Sequence, residues 1–195
     1  FFDAPRPLTV SVIDEVRESI LQYYQKQSRP LVTVEVPQQE ITNGRLQLIL
    51  FESALGKVTT SGNKWFPDAS LVRALDVKAG EPIELKPLLN SVDWLNQNPF
   101  RLTDVVLSAG AAHNTTDIEL RTQDRFPLRC YAGADNTGTQ VTNPYRCFTG
   151  IDWAIWIPFD QILSYQFSAA PVWNQFQSHT LHYTAYLPWK HTITL

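Results

Sequence analysis

Residues Gln161–Trp189 read QILSYQFSAAPVWNQFQSHTLHYTAYLPW, a stretch without one formally charged side chain when histidine is counted neutral. A strand that faces water normally shows charge at alternate positions. Here the positions between the apolar and aromatic residues hold Gln, Asn, Ser and Thr. Neutral polar residues interleaved with aromatics mark surfaces that become covered, because covered interface cores lose charge and gain Trp, Tyr and Phe. Carbohydrate platforms and membrane-interface belts share that composition. Three readings follow: a strand pair buried on both faces, a surface covered by a subunit or partner, and a ligand or membrane site.

Widening the window to 147–195 adds only Asp152, Asp160 and Lys190 as formal charges, while about half of the chain's 6 Trp, 7 Tyr and 10 Phe fall there. Trp153, Trp156, Trp173, Phe176, Tyr183, Tyr186 and Trp189 are the candidate binding or interface residues.

Upstream, strand-length apolar runs recur about every ten residues with turn residues between them. They are Leu31–Val36, Leu46–Phe51, Leu71–Val77, Ile83–Leu85, Leu102–Leu107, Ile118–Leu120, Phe126–Tyr131 and Ile151–Ile157, followed by Val172–Phe176, Leu181–Leu187 and His191–Leu195. Asn43-Gly44 is a strong hairpin signal, since both turn positions of a type I′ turn need positive φ. Ser61-Gly62-Asn63 marks another turn. This pattern predicts an all-β fold, a β-sandwich or jelly-roll-like domain, and thirteen prolines suit loops and edges.

One helix interrupts it. Val12, Val16, Ile20 and Tyr24 recur every four residues, Ser11 is placed to cap, and Pro30 lies beyond the end. The expected organisation is an extended arm over 1–9, then a single β-rich domain over 10–195 with an N-terminal α-helix at 11–27. Leu88–Leu95 suits a short helix over the core.

The chain has 195 residues and a formal charge of −3. With no basic excess to neutralise phosphates, no nucleic-acid partner is expected. No apolar run reaches the ~18 residues of a membrane helix. The missing methionine and the initial Phe1 suggest a processed or trimmed chain. Cys130 and Cys147 flank a turn-rich loop; a disulfide there would stabilise by ~3 kcal/mol and imply an oxidising compartment. Two unpaired thiols are the alternative.

No catalytic, nucleotide-binding or metal-site motif occurs, so no enzyme activity, cofactor or metal is expected. His179 and His182 are three apart in a strand-like run, which puts them on opposite faces. Asp152 and Asp160 flank Trp153, Trp156 and Phe159, an arrangement that a carbohydrate-active site could use. Arg101, Arg121, Arg125, Arg129 and Arg146 lie among acidic residues and read as a solvated mixed-charge face.

Val32-Thr33-Val34-Glu35-Val36, followed by Thr59-Thr60-Ser61-Gly62-Asn63-Lys64-Trp65, resembles an N-terminal stretch of the thermostable direct haemolysins, which are secreted pore-forming β-sandwich toxins. The resemblance covers positions 32 to 65. The helical pattern at 11–27 has no counterpart there, and that family's closely spaced C-terminal cysteine pair is absent.

The leading expectation is a non-enzymatic assembly or surface-binding module with protein subunits as partners, such as a subunit of a virion shell or an extracellular particle. A secreted membrane-active toxin is the alternative, and a carbohydrate-binding or carbohydrate-active protein the second alternative. The expected location is extracellular, on a surface or in a virion, with a membrane or a glycan as further partners.

Overall fold

The structure is a computed structural model and describes residues 9–39 and 45–195. Most of the arm at 1–9 and the hairpin turn at Asn43-Gly44 lie outside the described residues. Contacts divide the chain into two compact units built from interleaved segments. Unit 1 comprises 1–59, 75–93 and 105–120, and unit 2 comprises 60–74, 94–104 and 121–195.

Unit 1 begins with helix α1 (Val10–Lys26), within a residue of the expected span. Thr9 rather than Ser11 occupies the N-cap, with extended backbone and its carbonyl accepting from Val12 and Ile13. At the other end Ser28 takes φ 63°. Its N–H donates to Gln25 O at 3.0 Å and that of Arg29 to Tyr24 O at 2.9 Å, the paired bonds of a Schellman stop.

Strand β1 (Val32–Glu35) pairs antiparallel with β2 (Ile49–Glu52), Val34 opposite Leu50. Arg29 bridges Glu52 and Glu84 at 3.2 and 2.7 Å. Val34, Leu55, Leu75, Ile83, Leu88, Val92, Ile118 and Leu120 are the buried apolar residues of this unit.

Three further strands, β3 (Ala54–Ser61), β4 (Arg101–Ala109) and β5 (Thr115–Asp124), hydrogen-bond in the order β3-β5-β4. Helices α2 (Asp68–Arg73) and α3 (Leu85–Leu95) precede β4. The strand expected at Leu71–Val77 is therefore helical over its first residues. Pro67 starts the helix with fixed φ and Asp68 sits in its first turn, where a carboxylate favours the dipole. The Leu88–Leu95 helix is present within α3, while Ile83–Leu85 forms no strand.

In unit 2, five strands form an antiparallel meander: β6 (Leu128–Asp135), β7 (Arg146–Ile155), β8 (Gln161–Ala169), β9 (Gln177–Tyr186) and β10 (Thr192–Thr194), ordered β10-β9-β8-β7-β6. The chain is mostly β with an N-terminal helix, as expected. The sandwich or jelly roll is not what the meander builds: each strand pairs with its sequence neighbour, without the crossover a Greek key requires.

Strand β8 lies where the sequence reading placed none, and Val172–Phe176 is the β8–β9 turn rather than a strand. Phe66, Phe100, Ala154 and Ile162 form a buried cluster, with Trp65, Trp156 and Tyr186 packed against it. Asp124 anchors the loop carrying two of these aromatics by accepting from the backbone N–H groups of Lys64, Trp65 and Phe66 at 2.7 to 3.0 Å.

Candidate functional site

The candidate site is one whole face of the meander. Side chains alternate across a sheet, and the register fixes which residues share a side. Ile151 lies opposite Cys130 on β6 and Tyr165 on β8, and Tyr165 lies opposite Leu181 on β9. One step along, Trp153 aligns with Leu128, Leu163 and Tyr183. This face thus carries Ile151, Trp153, Leu163, Tyr165, Leu181 and Tyr183 beside Thr149 and His179, and it is open: Leu181 is 64% exposed and Trp153 51%.

The opposite face is mixed, with polar groups beside the Tyr131 and Phe148 rings. Asp152 aligns with Arg129, Ser164 and His182, and Gly150 with Tyr131, Gln166 and Thr180. Arg129 Nε donates to Asp152 at 2.8 Å, and Tyr131 Oη to Gln166 Oε1 at 3.1 Å. The Tyr131 ring occupies the place a side chain at Gly150 would need, and the Phe148 ring does the same over Gly133. Toward the β7–β8 turn this face closes onto the buried cluster through Ala154 and Ile162.

The connections differ between the two ends. The β7–β8 and β9–β10 turns, 156–160 and 187–191, are short and lie at one end. The β6–β7 and β8–β9 connections, 136–145 and 170–176, lie at the other and are longer. There Asn143 Nδ2 donates to Gln175 Oε1 at 3.0 Å, and the Arg146 guanidinium sits 4.0 Å from the Phe176 ring centre. The Thr137 hydroxyl and N–H hold the Asp135 carboxyl below its ordinary value, helped by Arg146.

The seven aromatics singled out by sequence do not form one patch. Trp153 and Tyr183 lie on the apolar face, where Tyr183 Oη donates to Gln161 at 2.6 Å. Trp173 and Phe176 belong to the β8–β9 turn, Trp173 against Phe167. Trp156 packs on Phe66, Tyr186 on Trp94, and Trp189 is exposed in the β9–β10 turn. Burial raises the Tyr186 phenol above its ordinary value, with Asp160 adding to the shift.

Asp152 and Asp160 face separate partners, Arg129 and Arg101. His179 and His182 point to opposite faces of β9, and His179 Nδ1 lies 2.7 Å from Tyr165 Oη.

The expected disulfide is absent. Cys130 and Cys147 are free and exposed. Cys130 pairs with Ile151 and Cys147 with Ala134, four residues apart on the ladder. At about 3.4 Å per residue that is roughly 13 Å, beyond the ~7 Å limit between bridged Cα atoms.

Residues missed at sequence level are those of β8. The alternation of Ile162, Ser164, Gln166 and Ser168 with Leu163, Tyr165, Phe167 and Ala169 was the signal that could have found it.

No protein-family model and no curated protein matches the chain. Solved structures do share its fold. CdiB from Escherichia coli superposes with a TM-score of 0.79 at 14% identity, over 96% of this chain and 35% of that one. CdiB from Acinetobacter baumannii gives 0.61 at 17% identity, over 92% and 34%. POTRA1-3 of the periplasmic domain of Omp85 from Anabaena gives 0.54 at 15% identity, over 61% and 52%. The chain spans about a third of the length of the CdiB structures.

These matches overturn the virion-shell, toxin and carbohydrate readings: the folds in common are those of CdiB and of a POTRA-bearing Omp85, not of capsid subunits, haemolysins or lectins. The physical source of the error is that a charge-free strand pair says a surface is covered, without saying by what.

Proposed function

We propose that the meander β6–β10 is the first part of a transmembrane β-barrel in an outer membrane. In this reading the preceding residues form a POTRA-like periplasmic part that binds protein partners, and the protein serves in outer-membrane protein assembly or secretion. It acts by binding and guiding polypeptides rather than by catalysis.

The observation that carries the reading is the sidedness of the sheet. An outer-membrane barrel alternates apolar outward and polar inward residues along every strand. Strands β7, β8 and β9 are 10, 9 and 10 residues long, the ~9–11 residues that a tilted strand needs to cross hydrocarbon. The apolar side carries Trp153, Tyr165 and Tyr183 with Ile151, Leu163 and Leu181, beside Thr149 and His179, and the other side carries the Arg129–Asp152 pair. Short connections at one end and longer ones at the other match the periplasmic turns and outer loops of such barrels. No helix among the described residues is long and apolar enough to cross a membrane. The likeness to CdiB and Omp85 supports the same assignment.

Tryptophan fluorescence of the protein in lipid vesicles tests it. Brominated phosphatidylcholine is expected to quench Trp153, and a Trp153→Phe variant to lose that component. Unchanged Trp153 emission with brominated lipid, together with full quenching by aqueous acrylamide, would overturn the proposal.

A further inference from the structure

The open face of the meander continues past the first residue of β6. Ala154 N donates to Pro127 O at 2.8 Å, so the ladder with β7 reaches one residue before Leu128. Pro127 is buried, while Phe126 before it is 53% exposed and Leu128 after it is exposed as well. That alternation puts Phe126 on the side of Leu128 and Trp153, which lie opposite each other in the register.

A segment from outside the meander joins this row, still within unit 2. In the loop between β3 and α2, the Trp65 ring stands nearly perpendicular to that of Phe126, centres 4.9 Å apart. The Lys64 ammonium lies over the Trp65 ring, 5.2 Å from its centre. Asp124 sets the position of this loop by accepting from the backbone N–H groups of Lys64, Trp65 and Phe66. Phe66 turns inward to the buried cluster, which leaves Trp65 half-buried and Lys64 exposed. Lysine is depleted from surfaces that another protein covers. A lysine beside exposed aromatics at the end of an apolar band instead suits a membrane–water boundary, where rings sit at headgroup level and the ammonium reaches outward on its apolar stem.

We propose that Lys64 and Trp65, together with Phe126, anchor the protein in the headgroup layer of a bilayer, with the Lys64 ammonium on lipid phosphate. The anchor lies at the end of the sheet next to the short β7–β8 turn, the periplasmic side in the barrel reading. The proposal rests on that reading and adds to it that a loop outside the strands fixes how deep they sit.

Tryptophan fluorescence in phosphatidylethanolamine–phosphatidylglycerol vesicles tests it, with added phosphatidylcholine brominated either near the headgroup or near the chain ends. Subtracting the spectra of Trp65→Phe and Trp153→Phe from that of the parent isolates the two components. The Trp65 component is expected to be quenched at least about twofold more by bromine near the headgroup than by bromine near the chain ends. Lys64→Glu should reduce that quenching at least about twofold, since a cation is attracted to an anionic lipid surface and a carboxylate repelled, and Lys64→Arg should keep it. Quenching of Trp153 without Trp65 would overturn the anchor and leave the barrel reading standing. Quenching of neither would overturn both. Stronger quenching of Trp65 by the chain-end bromine, or indifference to Lys64→Glu, would overturn the headgroup contact alone.

Discussion

Asp124 shows how much one side chain can organise. Its carboxylate receives three successive backbone N–H groups, those of Lys64, Trp65 and Phe66, and so fixes the loop that delivers Phe66 to the buried cluster. Asp124→Ala strands these donors, and charge-assisted bonds of this kind are worth about 1.5–3 kcal/mol each before compensation by water. Chemical denaturation is expected to show a loss of about 3 kcal/mol, and Asp124→Asn a smaller one. An unchanged midpoint for the alanine variant would remove Asp124 from this role.

Ser28 makes the opposite case. It holds φ 63° to close the Schellman stop of α1, a conformation in which a Cβ is strained. Ser28→Gly is expected to stabilise by about 1 kcal/mol in the same assay. Neither role was legible in the sequence. A carboxylate that binds backbone sixty positions away leaves no local pattern, and Ser at a helix stop looks like any polar residue.

At the scale of elements, period decides. Helix α1 was readable because Val12, Val16, Ile20 and Tyr24 keep a four-residue beat over several turns. The chain's β character was readable from alternating runs and turn residues. Strand β8 was not recognised, since its polar positions are Ser and Gln rather than charges, and its neighbour Val172–Phe176 looked more strand-like. The α2 segment misled in the other direction, because Leu71 and Val72 in a short helix look like a short strand.

The two faces of β9 supply the matching prediction. Leu181 stands on the apolar face and His182 on the polar one. Leu181→Arg should cost about 2–4 kcal/mol of folding in lipid, as a cation placed on the lipid side of a barrel does. His182→Arg should fold nearly as well as the parent. Refolding yield in vesicles, read by resistance to added protease, separates them; equal yields would count against the assignment of faces.

For the whole molecule, composition established that the terminal quarter is stripped of charge, and the structure shows why that signal was ambiguous. The same neutral alternation serves a strand buried on both faces, a subunit contact and a barrel wall. Register supplies the sidedness that composition lacks, because only the ladder shows that Trp153, Tyr165 and Leu181 share one side while Asp152, Gln166 and His182 share the other. The candidate aromatics divide among the apolar face, the turns and the buried cluster, and that division depends on three-dimensional pairing that spacing alone does not carry.

Spin labels placed one at a time on consecutive positions 178 to 184 of β9, with Cys130 and Cys147 replaced by alanine and the protein in vesicles, read this sidedness directly. The account predicts a two-residue rhythm: labels at the positions of His179, Leu181 and Tyr183 collide with oxygen dissolved in lipid, and those at Ser178, Thr180, His182 and Thr184 do not. A water-soluble nickel chelate reaching the first set as readily as the second would contradict it.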